Sequence, residues 1–132
     1  METCSTWHDA FLKYCPSRVV LSLVSDKWTL LTCCALAGGP MRFGELRRRL
    51  EGISQKVLTA TLRDLERAGL VRRQVYPTAP PRVEYSLTDL GHSIGEPFGA
   101  IKQWSEKHIA QIEAHQREYD ERARREPAPV AG

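Results

Sequence analysis

The sequence predicts a mainly α-helical fold that carries a small β-hairpin and closes on a long C-terminal helix. Three observations predict it. Apolar residues recur at three- and four-residue spacing through successive segments between Ser17 and Ala68. From Leu70 the pattern changes to two short runs rich in β-branched and aromatic residues, separated by the proline-rich stretch 77–82. After Thr88 a helical period returns and persists to about Glu118. The 132 residues suffice for one domain with its own core.

Residues 1–14 form an arm whose Trp7, Phe11, Leu12 and Tyr14 are more apolar than a free tail needs. Cys15-Pro16 marks its end, because proline holds the preceding residue extended yet suits the first turn of a helix. A short helix from Ser17 to Val24 should follow. Asp26 then caps a second helix with Trp28, Leu30, Leu31 and Leu36 on its apolar side, and Gly38-Gly39-Pro40 ends it. A third helix over 42–50 buries Phe43, Leu46 and Leu50, and Glu51-Gly52 forms the next turn. Ser54 caps a fourth helix reaching Ala68, with Gly69 where a left-handed residue is wanted. Its apolar arc is Val57, Leu58, Thr61, Leu62, Leu65 and Ala68.

The runs 71–76 and 83–87 read as the strands of a hairpin, its tip stiffened by Pro77, Pro80 and Pro81. Thr88 caps the final helix, expected to be interrupted near 95–97 by Gly95 and Pro97. Ile94, Phe98, Ile101, Ser105, His108 and Ile112 lie along one face at alternating steps, a seam suited to pairing with another helix. Residues 127–132 should be disordered.

The last three of these four helices, the hairpin and the long helix in this order make a winged helix-turn-helix with an N-terminal arm and a C-terminal dimerisation helix. The division is then 1–14 arm, 15–93 DNA-binding domain, 94–118 dimerisation helix and 119–132 charged, disordered tail.

Charge supports the DNA reading. The net charge is only +3, yet residues 42–82 hold ten Lys and Arg against four Asp and Glu. A basic middle flanked by acidic segments suits a polyanion partner. On the fourth helix Lys56, Thr59, Ala60, Arg63 and Arg67 stand opposite the apolar arc. The first turns of such a helix approach base edges in the major groove, which selects Gln55, Lys56, Thr59 and Ala60. Gln can pair bidentately with adenine, Lys can donate to guanine, and Ala or a Thr methyl can touch a thymine methyl. Arg63, further along, suits a phosphate. The backbone N–H groups at Ser54 to Lys56 suit another. Arg47, Arg48 and Arg49 can follow the flanking backbone, and Arg82 at the hairpin tip can enter a minor groove.

The other classes fare worse. His8, His92, His108 and His115 are scattered, no phosphate loop is present, and no nucleophile, base and orienting group come together as an enzyme needs. No cofactor is expected. The four cysteines, Cys4, Cys15, Cys33 and Cys34, contain no Cys-x-x-Cys, so no metal site is expected, Cys4, His8 and Cys15 being the nearest to one. There is no signal peptide, and the longest apolar run is far short of a bilayer's thickness. A cytoplasmic protein without a membrane partner, its thiols reduced, is therefore expected. The alternative of another class is a winged helix that binds a partner protein instead of DNA.

The residues resemble those of the HxlR-type regulators, a branch of the MarR-like winged-helix proteins. The likeness spans residues 15–94. It rests on Cys15-Pro16, Lys27-Trp28-Thr29-Leu30-Leu31, Gly39-Pro40, Arg42-Phe43-Gly44-Glu45-Leu46 and Gly52-Ile53-Ser54-Gln55-Lys56-Val57-Leu58. Leu62-Arg63-Asp64-Leu65-Glu66, Gly69-Leu70-Val71, Tyr76, Pro80-Pro81-Arg82-Val83-Glu84-Tyr85-Ser86-Leu87-Thr88 and Leu90-Gly91 complete it. The chain departs ahead of Lys27, where the family usually has glycines and Ser25-Asp26 stands here.

The resemblance implies a homodimer in which arm and final helices intertwine. Two recognition helices would then sit one DNA turn apart over a pseudo-palindrome, repressing or activating neighbouring genes. Several members resemble sensors of oxidants or electrophiles through a cysteine just ahead of the proline, the position of Cys15. A helix start there, with Lys13 and Arg18 nearby, would favour its thiolate. The rival signal is a small aromatic ligand among Trp7, Phe11, Tyr14, Phe98, Ile101, Trp104, His108 and Ile112, which otherwise serve as core or dimer interface.

Overall fold

The computed structural model describes residues 8–126. The elements run α1 (Ser17–Val24), α2 (Lys27–Leu36), β1 (Met41–Arg42), α3 (Phe43–Arg49), α4 (Gln55–Arg67), β2 (Val71–Tyr76), β3 (Arg82–Leu87) and α5 (Asp89–Arg125). They fall into two compact units, one ending at Gly99 and the other beginning at Ala100. Trp7, Cys4 and the tail 127–132 lie outside the described residues. No single helix among the described residues is long and apolar enough to cross a membrane.

The expected hairpin is present. β2 and β3 pair antiparallel from Val71 opposite Leu87 to Tyr76 opposite Arg82. A third strand, β1, was not expected. Met41 pairs with Tyr85 and Arg42 with Glu84, giving the order β1-β3-β2. α3 therefore starts at Phe43, one residue later than the sequence suggests. Arg42 is extended (φ −84°, ψ 162°), and its backbone N–H donates to Glu45 Oε1 at 2.8 Å. That bond satisfies one of the donors a helix start leaves unpaired.

The core of the first unit gathers Cys33 and Leu36 from α2, Leu46 and Leu50 around α3, and Leu58, Leu62 and Leu65 from α4. Ile53, Leu70, Val71, Leu87 and Phe98 close it. Asp26 caps α2 as expected, accepting from the N–H groups of Trp28 (2.7 Å) and Thr29 (3.3 Å). The face that α2 buries is Thr29, Thr32, Cys33 and Leu36, however, while Trp28, Leu30 and Leu31 are only half-buried at the edge of the core. These four follow i, i+3, i+4, i+7, and the stripe is masked in the sequence because two of its members are threonines.

Ser54 Oγ accepts from Val57 N at 3.1 Å and starts α4. The helix ends in a paired C-terminal lock: Gly69 N donates to Glu66 O (3.0 Å) and Leu70 N to Leu65 O (2.9 Å). Gly69 permits it at φ 78°. Leu58, Thr61, Leu62 and Leu65 are buried as expected, but Val57 and Ala68, at the edges of the arc, are exposed.

α5 is one helix, not two. Pro97 lies inside it, and the helix continues past Glu118 through residues 119–125, where a disordered tail was expected. Proline removes a single backbone donor. The next residue, Phe98, is buried and ties this turn to the core. Phe98 is thereby withdrawn from the expected pairing seam, and Ile94 packs half-buried against the same core. In the second unit Ile101, Trp104, Ile109 and Tyr119 remain more than half exposed. There Trp104 and His108 stack with centroids 4.7 Å apart, and Lys102 pairs with Glu106.

Candidate nucleic-acid interface

The candidate interface is built on the outward face of α4. Because Leu58, Leu62 and Leu65 are anchored in the core, the helix cannot rotate without exposing them. Gln55, Lys56, Ala60 and Arg63 consequently point to solvent, and Thr59 is half-buried beside them. Ser54 itself is exposed, and its cap leaves the remaining first-turn N–H groups directed outward.

Two open grooves flank this ridge. One is lined by Phe43, Gln55, Thr59, Leu62, Arg63, Glu66, Arg73 and Tyr85, with a volume of about 450 Å³. The other, of about 430 Å³, brings Lys56 and Ala60 beside Asp26 and Asp64. The candidates thus divide: the base readers Gln55 and Thr59 and the phosphate contact Arg63 face the hairpin, and the base readers Lys56 and Ala60 face α2. Arg47 and Arg48 are exposed in the last turn of α3, where a helix dipole favours cations, and with Arg49 they extend the basic surface.

The hairpin differs from expectation. Arg82 is the first residue of β3, not part of the tip, and its guanidinium lies 4.4 Å above the Tyr76 ring. Its Nε is 3.6 Å from Glu84 Oε2. The cross-strand register puts Tyr76 directly opposite Arg82, which makes this packing the natural resting place of the side chain. Sequence reasoning also missed Arg73. Its Nε lies 3.5 Å from Glu66 Oε1, joining β2 to α4, and its cross-strand partner is Tyr85. Burial raises the Tyr85 phenol pKa, Arg73 opposes the shift and Glu66 adds to it. The alternation of β2, with buried Val71 two residues before Arg73, is the signal that would have placed Arg73 on the helix side.

Cys15 is buried, with its Sγ 3.1 Å from Ser17 Oγ and 3.8 Å from His8 Nδ1. The Ser17 side chain is the leading cause that lowers its pKa from 9.0 to about 7, and burial works against it. Backbone N–H groups and His8 add smaller lowering effects. Lys13 and Arg18 are not the cause, contrary to expectation. Arg18 donates to Ala10 O (2.8 Å) and Phe11 O (2.9 Å), bracing the arm, and Lys13 sits over the Tyr14 ring. Cys33 is the opposite case: burial and its neighbour Cys34 push it up to about 11.

The residues suggested for an aromatic ligand do not share one environment. Phe11 and Tyr14 are almost fully exposed, and Phe98 is buried in the core. Ile101, Trp104, His108 and Ile112 belong to the second unit, Ile101 and Trp104 being exposed and His108 and Ile112 half-buried.

Comparison with known proteins agrees with this architecture. The family model described as HxlR-like helix-turn-helix matches residues 23–113. The HTH-type transcriptional regulator YtfH of Escherichia coli (strain K12) is 42% identical over 113 residues, covering 86% of this chain and 87% of its own. The solved structure of ytfH from Salmonella typhimurium superposes with a TM-score of 0.78 at 40% identity, over 83% of this chain and 98% of that one. The redox regulator HypR in its oxidized form gives 0.66 at 39% identity, over 70% and 96%. With its capped fourth helix, antiparallel wing and long final helix, this chain belongs to the HxlR-like helix-turn-helix family of transcriptional regulators.

Proposed function

We propose that the protein regulates transcription by binding duplex DNA as a homodimer, inserting α4 into the major groove of each half of a pseudo-palindromic operator. The observation that carries this is the solvent-facing ridge Gln55-Lys56-Thr59-Ala60-Arg63, held outward by the buried Leu58, Leu62 and Leu65 and bordered by Arg47 and Arg48. Gln55, Lys56, Thr59 and Ala60 serve base edges; Ser54's turn, Arg63, Arg47 and Arg48 serve phosphates. Arg82 serves the minor groove only after leaving Tyr76. Ile101, Trp104, His108 and Ile112 supply the pairing surface of the final helices, with half-sites about 34 Å apart.

Selection of bound sequences from a random duplex pool tests this, followed by titration at rising salt. Affinity should fall with a slope near −0.9 per phosphate contacted, and recovered sequences should share an inverted repeat. A winged helix that binds a protein instead would enrich no sequence and show little salt dependence.

A second reading concerns the signal. The lowered pKa of Cys15 keeps much of it as thiolate near neutrality, and a thiolate is the form that attacks oxidants and electrophiles. HypR, a similar protein, is a redox regulator by name. Modification of Cys15 would displace Ser17 and the braced arm, and with them the start of α1. Diamide or a quinone should release DNA from the wild type and not from Cys15→Ser. Release from both would exclude this thiol, and release by aromatic compounds alone would favour the ligand reading.

A further inference from the structure

Arg73 and Glu66 stand in the same groove as Gln55, Thr59 and Arg63, yet no role in reading DNA falls to them in the arrangement above. The floor of that groove is Phe43, Leu62 and Tyr85, and its rim carries two arginines, from α4 and β2, with Glu66 as the acidic member. The ion pair between Arg73 and Glu66 spans helix and wing at 3.5 Å, and both side chains are about half exposed, at 47% and 42%. An ion pair of that exposure holds its partners loosely, because water solvates either charge almost as well.

We propose that Arg73 is a gated contact to the DNA backbone: Glu66 holds its guanidinium in the free protein and yields it to a phosphate when α4 enters the groove. The proposal rests on the DNA-binding reading and adds a residue and a regulator of affinity to it. Three features support it. Arg73 is on the wing face that looks toward α4, sharing its groove with the candidate base reader Gln55 and the candidate phosphate contact Arg63. Glu66 meets Arg73 through a single Nε–Oε1 contact at 3.5 Å, whereas a phosphate can accept two parallel N–H bonds from a guanidinium, so a phosphate brought close can outcompete Glu66. Arg82, at the start of β3 beside the hairpin tip, is already engaged by Tyr76 and Glu84. Glu66 then sets a toll on nonspecific binding, since Arg73 is offered only where a phosphate is brought close enough to compete.

The test is a double-mutant cycle in the full chain, read by fluorescence anisotropy on a duplex recovered from the random pool, over a range of salt. Arg73→Ala should weaken binding about tenfold and reduce the steepness of the salt dependence by about 0.9. Arg73→Lys keeps the charge and should retain that steepness. Glu66→Gln should tighten binding several-fold, and should lose this effect when combined with Arg73→Ala. The proposal is overturned if Glu66→Gln tightens binding equally with and without Arg73→Ala, which is a general field effect, or if Arg73→Ala leaves the salt dependence unchanged. A wild type with no salt-dependent duplex binding would overturn the DNA reading itself and this inference with it, so the two failures are told apart.

Discussion

Gly91 packs so closely against Leu70 that a Cβ on it would fall onto the Leu70 carbonyl. The contact is part of a clasp between the end of α4 and the start of α5. Thr88 N donates to Leu70 O (3.0 Å), Thr88 Oγ1 donates to Gly69 O (2.6 Å), and Gly91 N donates to Thr88 Oγ1 (3.0 Å). The end of α4 and the first turns of α5 are thus joined through one hydroxyl and one missing side chain.

Gly91→Ala should therefore destabilise the protein. The atom it would meet is backbone, which cannot rotate away, so helix and turn must separate; the cost of such overpacking is about 1–3 kcal/mol or more. Urea denaturation monitored by circular dichroism checks this, and an unchanged midpoint would show that α5 can shift freely.

Asp26→Ala should cost about 1 kcal/mol, since it frees two backbone N–H groups at the start of α2. Asp26→Ser, which can still cap, should recover most of it in the same denaturation assay.

Ser17→Ala should move the pKa of Cys15 upward from about 7 toward 9, because the Ser17 side chain is the chief cause of its depression. The pH dependence of alkylation by iodoacetamide reads this directly. The same shift has a consequence for stability. A thiol whose folded pKa is depressed adds stability that is complete above the unfolded value near 9 and is lost as the pH falls through about 7. Wild type should gain stability across that window relative to Cys15→Ser. Cys33, with its pKa raised to about 11, should stay unlabelled in the folded protein.

How far the sequence disclosed all this depended on whether a residue's role was local. Caps were legible, since Asp26, Ser54 and Thr88 each accept from an N–H group within three residues of themselves, and the lock at Gly69 was legible from the glycine alone. The β-branched and aromatic residues of 71–76 and 83–87, with prolines between them, disclosed the hairpin. What was hidden depended on partners distant in the chain. β1 is two residues long and exists only because β3 offers it an edge. Thr29 and Thr32 are core residues by position, not by hydropathy. Pro97 was over-read as a break because the anchoring of Phe98 cannot be seen locally. The packing of Arg82 on Tyr76 is visible only once the register is known, and the pairing of Arg73 with Glu66 only once β2 is set beside α4.

The central claim is that the outward ridge of α4 reads DNA. Lys56→Ala combined with Arg63→Ala removes the two cations of that ridge, both exposed and free of core contacts, so the fold should survive. The measurement is a fluorescence-anisotropy titration of the double variant against the selected duplex, beside circular dichroism and gel filtration. Specific binding should be lost in a protein of unchanged helicity and oligomeric state. Wild-type affinity in the double variant would contradict it.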